Sequence, residues 1–373
     1  MPNGEQEMEC EEHYYIGKIK NNDQKFEFFK MNKEETTYID NAIEYIKKVG
    51  PKDLNQFTIE GLIGKGSESL VFKIRLNKTN KYYALKVIKK PKNISNTNEL
   101  KISRKVKHKN IATILCYYAD TNKEEDYIIM ELGHSNLTQF TKKTIKRYTL
   151  SESFLCMIAY QTLQGLAYLQ KMKIAHLDVK PQNILINEYL DIKLIDFSVS
   201  LDYSNIQNED VILPYSGTPF FMSPEILGRK RIKTKDIQKV DMFSLGVTLY
   251  ILGFGQLPFN IGQEDSDEEM LNKIKSGWKV EDSNNIFSSH FINLLNGLLE
   301  VNIKKRLSIN QALNDYWIRG AEIILNEKEN TYNANSFLSY LITDHIRSFQ
   351  EYIYNDLTFY LLCFRSEVSN PYP

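Results

Sequence analysis

Cysteine is scarce in this chain: four in 373 residues, Cys10, Cys116, Cys156 and Cys363, far apart and without paired spacing. That excludes a disulfide framework and a paired-cysteine zinc site, and fits reduced intracellular thiols in a cytoplasmic protein. Net charge is absent too. Lys+Arg and Asp+Glu both total 47, so no overall field recruits nucleic acid or an anionic membrane. Long hydrophobic runs are missing. The longest, "MFSLGVTLYILGF" from Met242 to Phe254, is well short of the roughly 18 residues a membrane span needs, and a buried core helix is expected there. The opening "MPNGEQEMECEEHYY" is acidic and has no apolar stretch, so no secretory signal is expected. No internal repeat is visible. What remains is ordinary globular composition, 42% hydrophobic and 25% charged, long enough for one large domain or two lobes.

Three segments differ in character. Residues 1–55 are charged and rich in Lys and Asn, with one amphipathic helix expected in "KEETTYIDNAIEYIKKVG", ended by Gly50 and Pro51. From Phe57 to Ile318 strand and helix patterns follow one another densely. Residues 319–373 contain "NSFLSYLITDHIRSFQEYIYNDLTFYLLCF", helical in period and rich in Tyr and Phe, read as a strut on the main domain. Within the middle segment "FTIEGLI", "LVFKIRL" and "KYYALKVI" alternate as strands, with "NKTN" as a turn, and "IATILCYYAD" and "DYIIMEL" form a further hairpin. From Ser151 onward helices dominate, beginning with "SESFLCMIAYQTLQGLAYLQKM", which Ser151 is placed to cap. A small β part followed by a larger α part predicts an α+β chain of two lobes with a ligand cleft between them.

Four stretches carry chemistry. "IGKGSESLVF" sets Gly64 and Gly66 between two strands, where the lack of a Cβ lets backbone amides approach phosphate oxygens. A bulged hairpin explains a lone G-x-G equally well, and the position between strands argues against a dinucleotide fingerprint. Lys86 in "YYALKVI" points to one face of its strand, as a gatekeeper on a sheet edge or as a phosphate ligand. Glu99, on the next helical pattern "NELKISRKVKH", is a possible partner. In "HLDVKPQNILI" a short loop presents Asp178, Lys180 and Asn183 between apolar runs, and "IKLIDFS" delivers Asp196 from the next strand. Two strands handing such oxygen donors to one edge suit Mg²⁺ and phosphate. Either turn alone would pass as a polar cap.

In this order the stretches resemble the eukaryotic protein kinase family, over Phe57 to Ile318. The resemblance implies a bilobal α+β fold and a magnesium- and ATP-dependent enzyme that phosphorylates protein substrates on serine or threonine, acting as a monomer. Gly64 and Gly66 match the loop over the ATP phosphates, and Val71 the residue packed on adenine. Lys86 resembles the lysine on the α and β phosphates, with Glu99 its helix partner. "IIMEL" is similar to the hinge, with Met130 as gatekeeper and the backbones of Glu131 and Gly133 as adenine partners; Ile63, Ala84 and Leu185 complete the implied nucleotide contacts. Asp178 matches the catalytic aspartate, Lys180 the lysine near the γ-phosphate, and Asn183 and Asp196 the metal ligands. "SGTPFFMSPE" is similar to the end of an activation segment, with Glu225 expected to pair with Arg306 in "KKRLS" and Asp241 to hold the catalytic loop. "DVKPQN" resembles the serine/threonine type, and "KHKNI" with the "YW" at Trp317 leans toward the calcium/calmodulin-dependent branch.

Four positions depart from the family pattern. Ser69 replaces the third loop glycine and Ser198 the glycine after Asp196; neither removes a phosphate or metal ligand. Ser103 stands one turn after Glu99, where an apolar residue is usual, and loosens that helix. Leu177 takes the place of an arginine that binds a phosphorylated activation segment. Leucine cannot pair with phosphate, so the active arrangement is expected not to depend on one. The four together leave a pseudokinase, an ATP-binding scaffold, as the alternative. Neutral Asn136 and Gln182, at positions where carboxylates select arginine in a substrate, lead us to expect weak arginine selection.

Overall fold

The structure, a computed structural model, describes residues 16–19, 26–29, 43, 46, 50, 52–65, 69–90, 97–119, 124–133, 135–144, 150–187, 190–207, 209–278, 287–321 and 325. Gly66, the helix expected after residue 335 and most of the helix expected over 33–50 lie outside them. The chain divides into two compact units, residues 1–100 with 114–132, and residues 101–113 with 133–373. The first is β-rich and the second helical, so the fold is bilobal α+β.

After a backbone-paired hairpin, β1 (Ile16–Ile19) with β2 (Phe26–Phe29), the small unit is one antiparallel sheet. Its strands are β3 (Phe57–Lys65), β4 (Ser69–Leu76), β5 (Tyr82–Lys89), β6 (Ile114–Ala119) and β7 (Glu125–Glu131), in the order β3-β4-β5-β7-β6. The turn between β4 and β5 closes where Asn80, at φ 54°, donates its amide to the Leu76 carbonyl at 2.8 Å; asparagine tolerates this left-handed backbone. The two central strands are buried on both faces, and their side chains alternate between two apolar clusters. Leu85, Val87, Tyr127 and Ile129 join a cluster with Phe72, Ile74, Leu54, Ile43 and Ile46. Ile88 and Ile128, of opposite parity, pack with Leu100. Ile43 and Ile46 are helical and each 3% exposed, so this part of the N-terminal segment belongs to the sheet's core. Gly50 donates its amide to the Ile46 carbonyl at 2.8 Å, and a Cβ there would lie 2.4 Å from that oxygen.

Leu100 sits on α1 (Asn98–Ser103), which is shorter than the pattern "NELKISRKVKH" predicts. Beyond Ser103 the run Arg104 to His108 offers only Val106 as an apolar side chain, so there is no second face to bury and the helix stops.

In the large unit, α2 (Leu137–Thr144) precedes α3 (Glu152–Lys171), capped by Ser151 as expected. The central helix is α5 (Lys239–Phe254), which follows the short α4 (Pro224–Leu227). Every residue of α5 from 240 to 250 is buried, as read from its composition, and Gly255 at φ 72° ends it. The helices α6 (Asp267–Lys275), α7 (Ser289–Leu298) and α8 (Ile309–Leu313) follow, each with a serine cap. Short strands carry the site: β8 (Ser135–Asn136) comes just before α2, while β9 (Ile174–Ala175), β10 (Ile184–Ile186) and β11 (Ile192–Leu194) lie between α3 and α4; β8 pairs with β10, and β10 with β11.

Candidate active site

The loop from His176 to Asn183 is held by a buried carboxylate. Asp241, on the first turn of α5 and fully buried, accepts the His176 amide at Oδ2 (2.8 Å) and the Leu177 amide at Oδ1 (2.7 Å). Burial pushes the Asp241 carboxyl above its ordinary value, and the nearby His176 and the two amides pull it back. The His176 ring is fixed on both sides. Its Nε2 faces the Ile195 carbonyl at 3.0 Å and therefore donates, while Nδ1 accepts the Asp178 amide at 3.3 Å. Two contacts without a local sequence signal complete the frame: Ser200 Oγ donates to the His176 carbonyl at 2.9 Å and Thr248 Oγ1 to the Val179 carbonyl at 3.3 Å.

This frame holds Leu177 at φ 63°, a left-handed conformation that costs a non-glycine residue about 1–2 kcal/mol. Leu177 is 3% exposed, in an apolar cluster with Tyr203, Leu213 and Phe221. The departure from arginine thus has a packing role, and the leucine itself supplies no charge for a phosphate.

Asp178 is where the loop's polar groups converge. Its Oδ2 accepts Lys180 Nζ at 2.6 Å and Asn183 Nδ2 at 2.8 Å. Its Oδ1 accepts the Thr218 hydroxyl at 2.8 Å, and that hydroxyl in turn accepts Lys180 Nζ at 2.5 Å. Asn183 Nδ2 also donates to the Asp178 carbonyl at 2.9 Å, which turns the amide oxygen away from Asp178. Asp196 lies beside Asn183, because the Ile195 amide donates to the Asn183 carbonyl at 3.0 Å at the end of the β10–β11 pairing. Asp196 has φ 69°, and its Oδ1 accepts the Ser198 amide at 3.3 Å. Ser198 itself has no left-handed backbone, so this turn does not demand the family's glycine there.

Gly217 is a site residue that sequence reasoning passed over. It has φ +107°, and a Cβ on it would lie 2.4 Å from the Leu177 carbonyl oxygen. Only glycine lets the segment pass this close and set the next residue, Thr218, against Asp178. Gly217→Ala is expected to lower turnover about 10²-fold by displacing Thr218, with strain of about 1–3 kcal/mol. Steady-state kinetics beside a thermal melt checks this; wild-type turnover in the variant would remove Thr218 from the site.

The remaining expected residues fall in two sets. In the small unit, register places Gly64 opposite Val71, Val71 opposite Lys86 and Lys86 opposite Ile128, with Ala84 opposite Met130. Glu131 ends β7 opposite Tyr83, and Ile63 is 36% exposed on β3. Lys86 Nζ lies 2.6 Å from Glu99 Oε2, with both side chains nearly buried. In the large unit, Gly133 packs so tightly on Leu185 that a Cβ would lie 2.7 Å from Leu185 Cδ1. Asn136 caps α2: its Oδ1 accepts the Gln139 amide at 2.8 Å, so this side chain is engaged, whereas Gln182 is exposed. Glu225 and Arg306 make the expected pair, through two hydrogen bonds of 3.0 Å.

Residues 57–318 match the family described as protein kinase domain. CBL-interacting serine/threonine-protein kinase 12 of Arabidopsis thaliana is 29% identical over 275 residues, covering 71% of this chain and 53% of that protein. MAP kinase kinase MKK1/SSP32 of Saccharomyces cerevisiae is 32% identical over 279 residues, covering 70% and 52%. Calcium-dependent protein kinase 5 of Plasmodium berghei is 34% identical over 264 residues, covering 68% and 44%. The chain spans about half the length of these relatives. The match over most of the chain, on a bilobal α+β fold, makes it a member of the eukaryotic protein kinase family.

Proposed function

We propose that this chain is a serine/threonine protein kinase that transfers the γ-phosphate of ATP to protein hydroxyls inside the cell. The observation that carries the reading is the Thr218 hydroxyl donating to Asp178 while accepting from Lys180. An alcohol is already accommodated there, with a carboxylate as proton acceptor and a cation beside its oxygen. In the proposed step the acceptor hydroxyl gives its proton to Asp178 as its oxygen bonds the γ-phosphorus. The bond from that phosphorus to the β-phosphate oxygen breaks, and ADP leaves. Lys180 meets the charge on the transferred group, and Lys86, oriented by Glu99, binds phosphate oxygens.

The donor set fits Mg²⁺: the Asp196 carboxylate and an Asn183 amide oxygen turned away from Asp178, on neighbouring strand ends joined by the Ile195 amide. One carboxylate and one further oxygen, completed by phosphate and water, is the usual magnesium arrangement. A bound Mg²⁺ would neutralise charge on the phosphate oxygens.

Phosphate transfer to a generic protein substrate with Mg²⁺ and ATP tests the reading. Lys86→Met is expected to lower transfer about 10²–10³-fold with the fold intact, and the labelled product should be phosphoserine or phosphothreonine. No transfer by wild-type protein above this background would sink the proposal. Phosphatase-treated protein should keep its turnover, since Leu177 offers phosphate no partner; a loss of about tenfold would overturn that part.

A further inference from the structure

Asp126 and Lys90 have no part in the chemistry above, yet they are deeply buried charges of the small unit, 0% and 6% exposed. Lys90 Nζ stands 2.7 Å from Asp126 Oδ1. Burying two charges is costly and is compensated only by good geometry and additional hydrogen bonds. One such bond leads to the helix that carries Glu99: Asp126 Oδ2 accepts the Thr97 amide at 2.8 Å. Thr97 directly precedes α1, and its Oγ1 accepts the Leu100 amide at 3.3 Å. Asp126 thus grips the residue that caps α1, two positions before Glu99.

Strand parity gathers these contacts on one face. Lys86, Ile88 and Lys90 follow one another at intervals of two along β5 and its immediate continuation, so they share a side of the sheet. Lys86 pairs with Glu99, Ile88 clusters with Leu100, and Lys90 pairs with the carboxylate that holds Thr97. The helix has six residues, far below the roughly 12–15 at which an isolated helix becomes marginally stable. Its position must come from such outside contacts.

We propose that Asp126, itself held by Lys90, is a positioning residue that tethers the start of α1 and so sets Glu99 against Lys86. The proposal rests on the reading of Lys86 as a phosphate-binding cation. Without the tether the first turn of α1 swings from the sheet and Lys86 loses its orientation.

Two charge-free pairs separate the tether from the ion pair. In Lys90→Met/Asp126→Asn the amide oxygen still accepts the Thr97 N–H, and kcat/KM for ATP should stay within about threefold of wild type. In Lys90→Met/Asp126→Leu the acceptor is gone, and kcat/KM for ATP should fall about ten- to a hundredfold, with faster hydrogen exchange of the amides of 97–100. Added to Glu99→Gln, the Met/Leu pair should cause no further loss, because both changes act through one contact. Should the Met/Leu protein fail to fold, Thr97→Pro deletes the same amide donor, with Thr97→Ala as control for the hydroxyl. Wild-type kinetics and exchange in the Met/Leu protein, an equal loss in the Met/Asn protein, or an additive loss on Glu99→Gln would each overturn the proposal. Absence of transfer by wild-type protein is instead a failure of the kinase reading. The exchange of 97–100 then decides the tether by itself: unchanged in the Met/Leu protein, it overturns the proposal.

Discussion

Asp178→Asn is expected to lower phosphate transfer about 10²–10⁴-fold, the range for losing a positioned general base, while the protein remains folded. Both carboxylate oxygens of Asp178 are engaged, Oδ2 by Lys180 and Asn183 and Oδ1 by the Thr218 hydroxyl. An asparagine can keep its oxygen toward Lys180 and Asn183 and turn its NH₂ toward Thr218. That hydroxyl can reverse and accept, because only its proton was committed to Asp178 and oxygen has two lone pairs. The loop therefore keeps its hydrogen bonds, and what disappears is an atom able to take a proton from an alcohol. The signature is a fall in kcat with little change in KM for ATP or in melting temperature. Turnover within about tenfold of wild type would rule Asp178 out as the proton acceptor.

The second large effect is on stability, at Arg306. This side chain is 0% exposed and its partner Glu225 5%. Besides the two bonds to Glu225, the guanidinium donates to the carbonyls of Glu300 (2.8 Å) and Lys239 (2.9 Å), and it lies 5.0 Å from the centre of the Phe243 ring. Removing one member of a buried ion pair leaves an uncompensated charge and costs about 3–5 kcal/mol. Arg306→Met should therefore destabilise the protein by about this amount in denaturant titration. Adding Glu225→Leu removes the stranded carboxylate and should restore part of the loss. Full restoration is not expected, since the Glu300 carbonyl would still lack the donor that Arg306 Nε supplies, at about 1–3 kcal/mol if it stays unpaired. A single variant as stable as wild type would mean that the pair contributes nothing net to the fold.

Local pattern carried a great deal of this protein. Alternation along "LVFKIRL" and "YYALKVI", the asparagines of the β4–β5 turn and the Ser151 cap are decided by residues within a few positions of one another. The same holds for the bilobal α+β division, and for the order of the loop, lysine and aspartate stretches that carried the family resemblance. The N-terminal isoleucines were harder to read: Ile43 and Ile46 look like any amphipathic helix, and only the assembled sheet offers the face they cover.

What the tertiary structure decided are relations between residues far apart in the chain. That Leu177 must take a left-handed backbone is not written in "HLDVK"; it follows from two amides converging on Asp241, sixty-four positions and more away. That Gly217 must be glycine follows from the Leu177 carbonyl behind it, and the meaning of Thr218 from its hydroxyl reaching Asp178. Asp126 reads in "EDYIIMEL" as a polar strand end, and becomes the grip on α1 only because Lys90 and Thr97 fold against it. Periodicity and capping act through neighbours along the chain and are legible in one sequence. The buried charges of Asp126 and Asp241 and the strained backbones of Leu177 and Gly217 owe their existence to partners brought in by folding, and no short stretch contains both members.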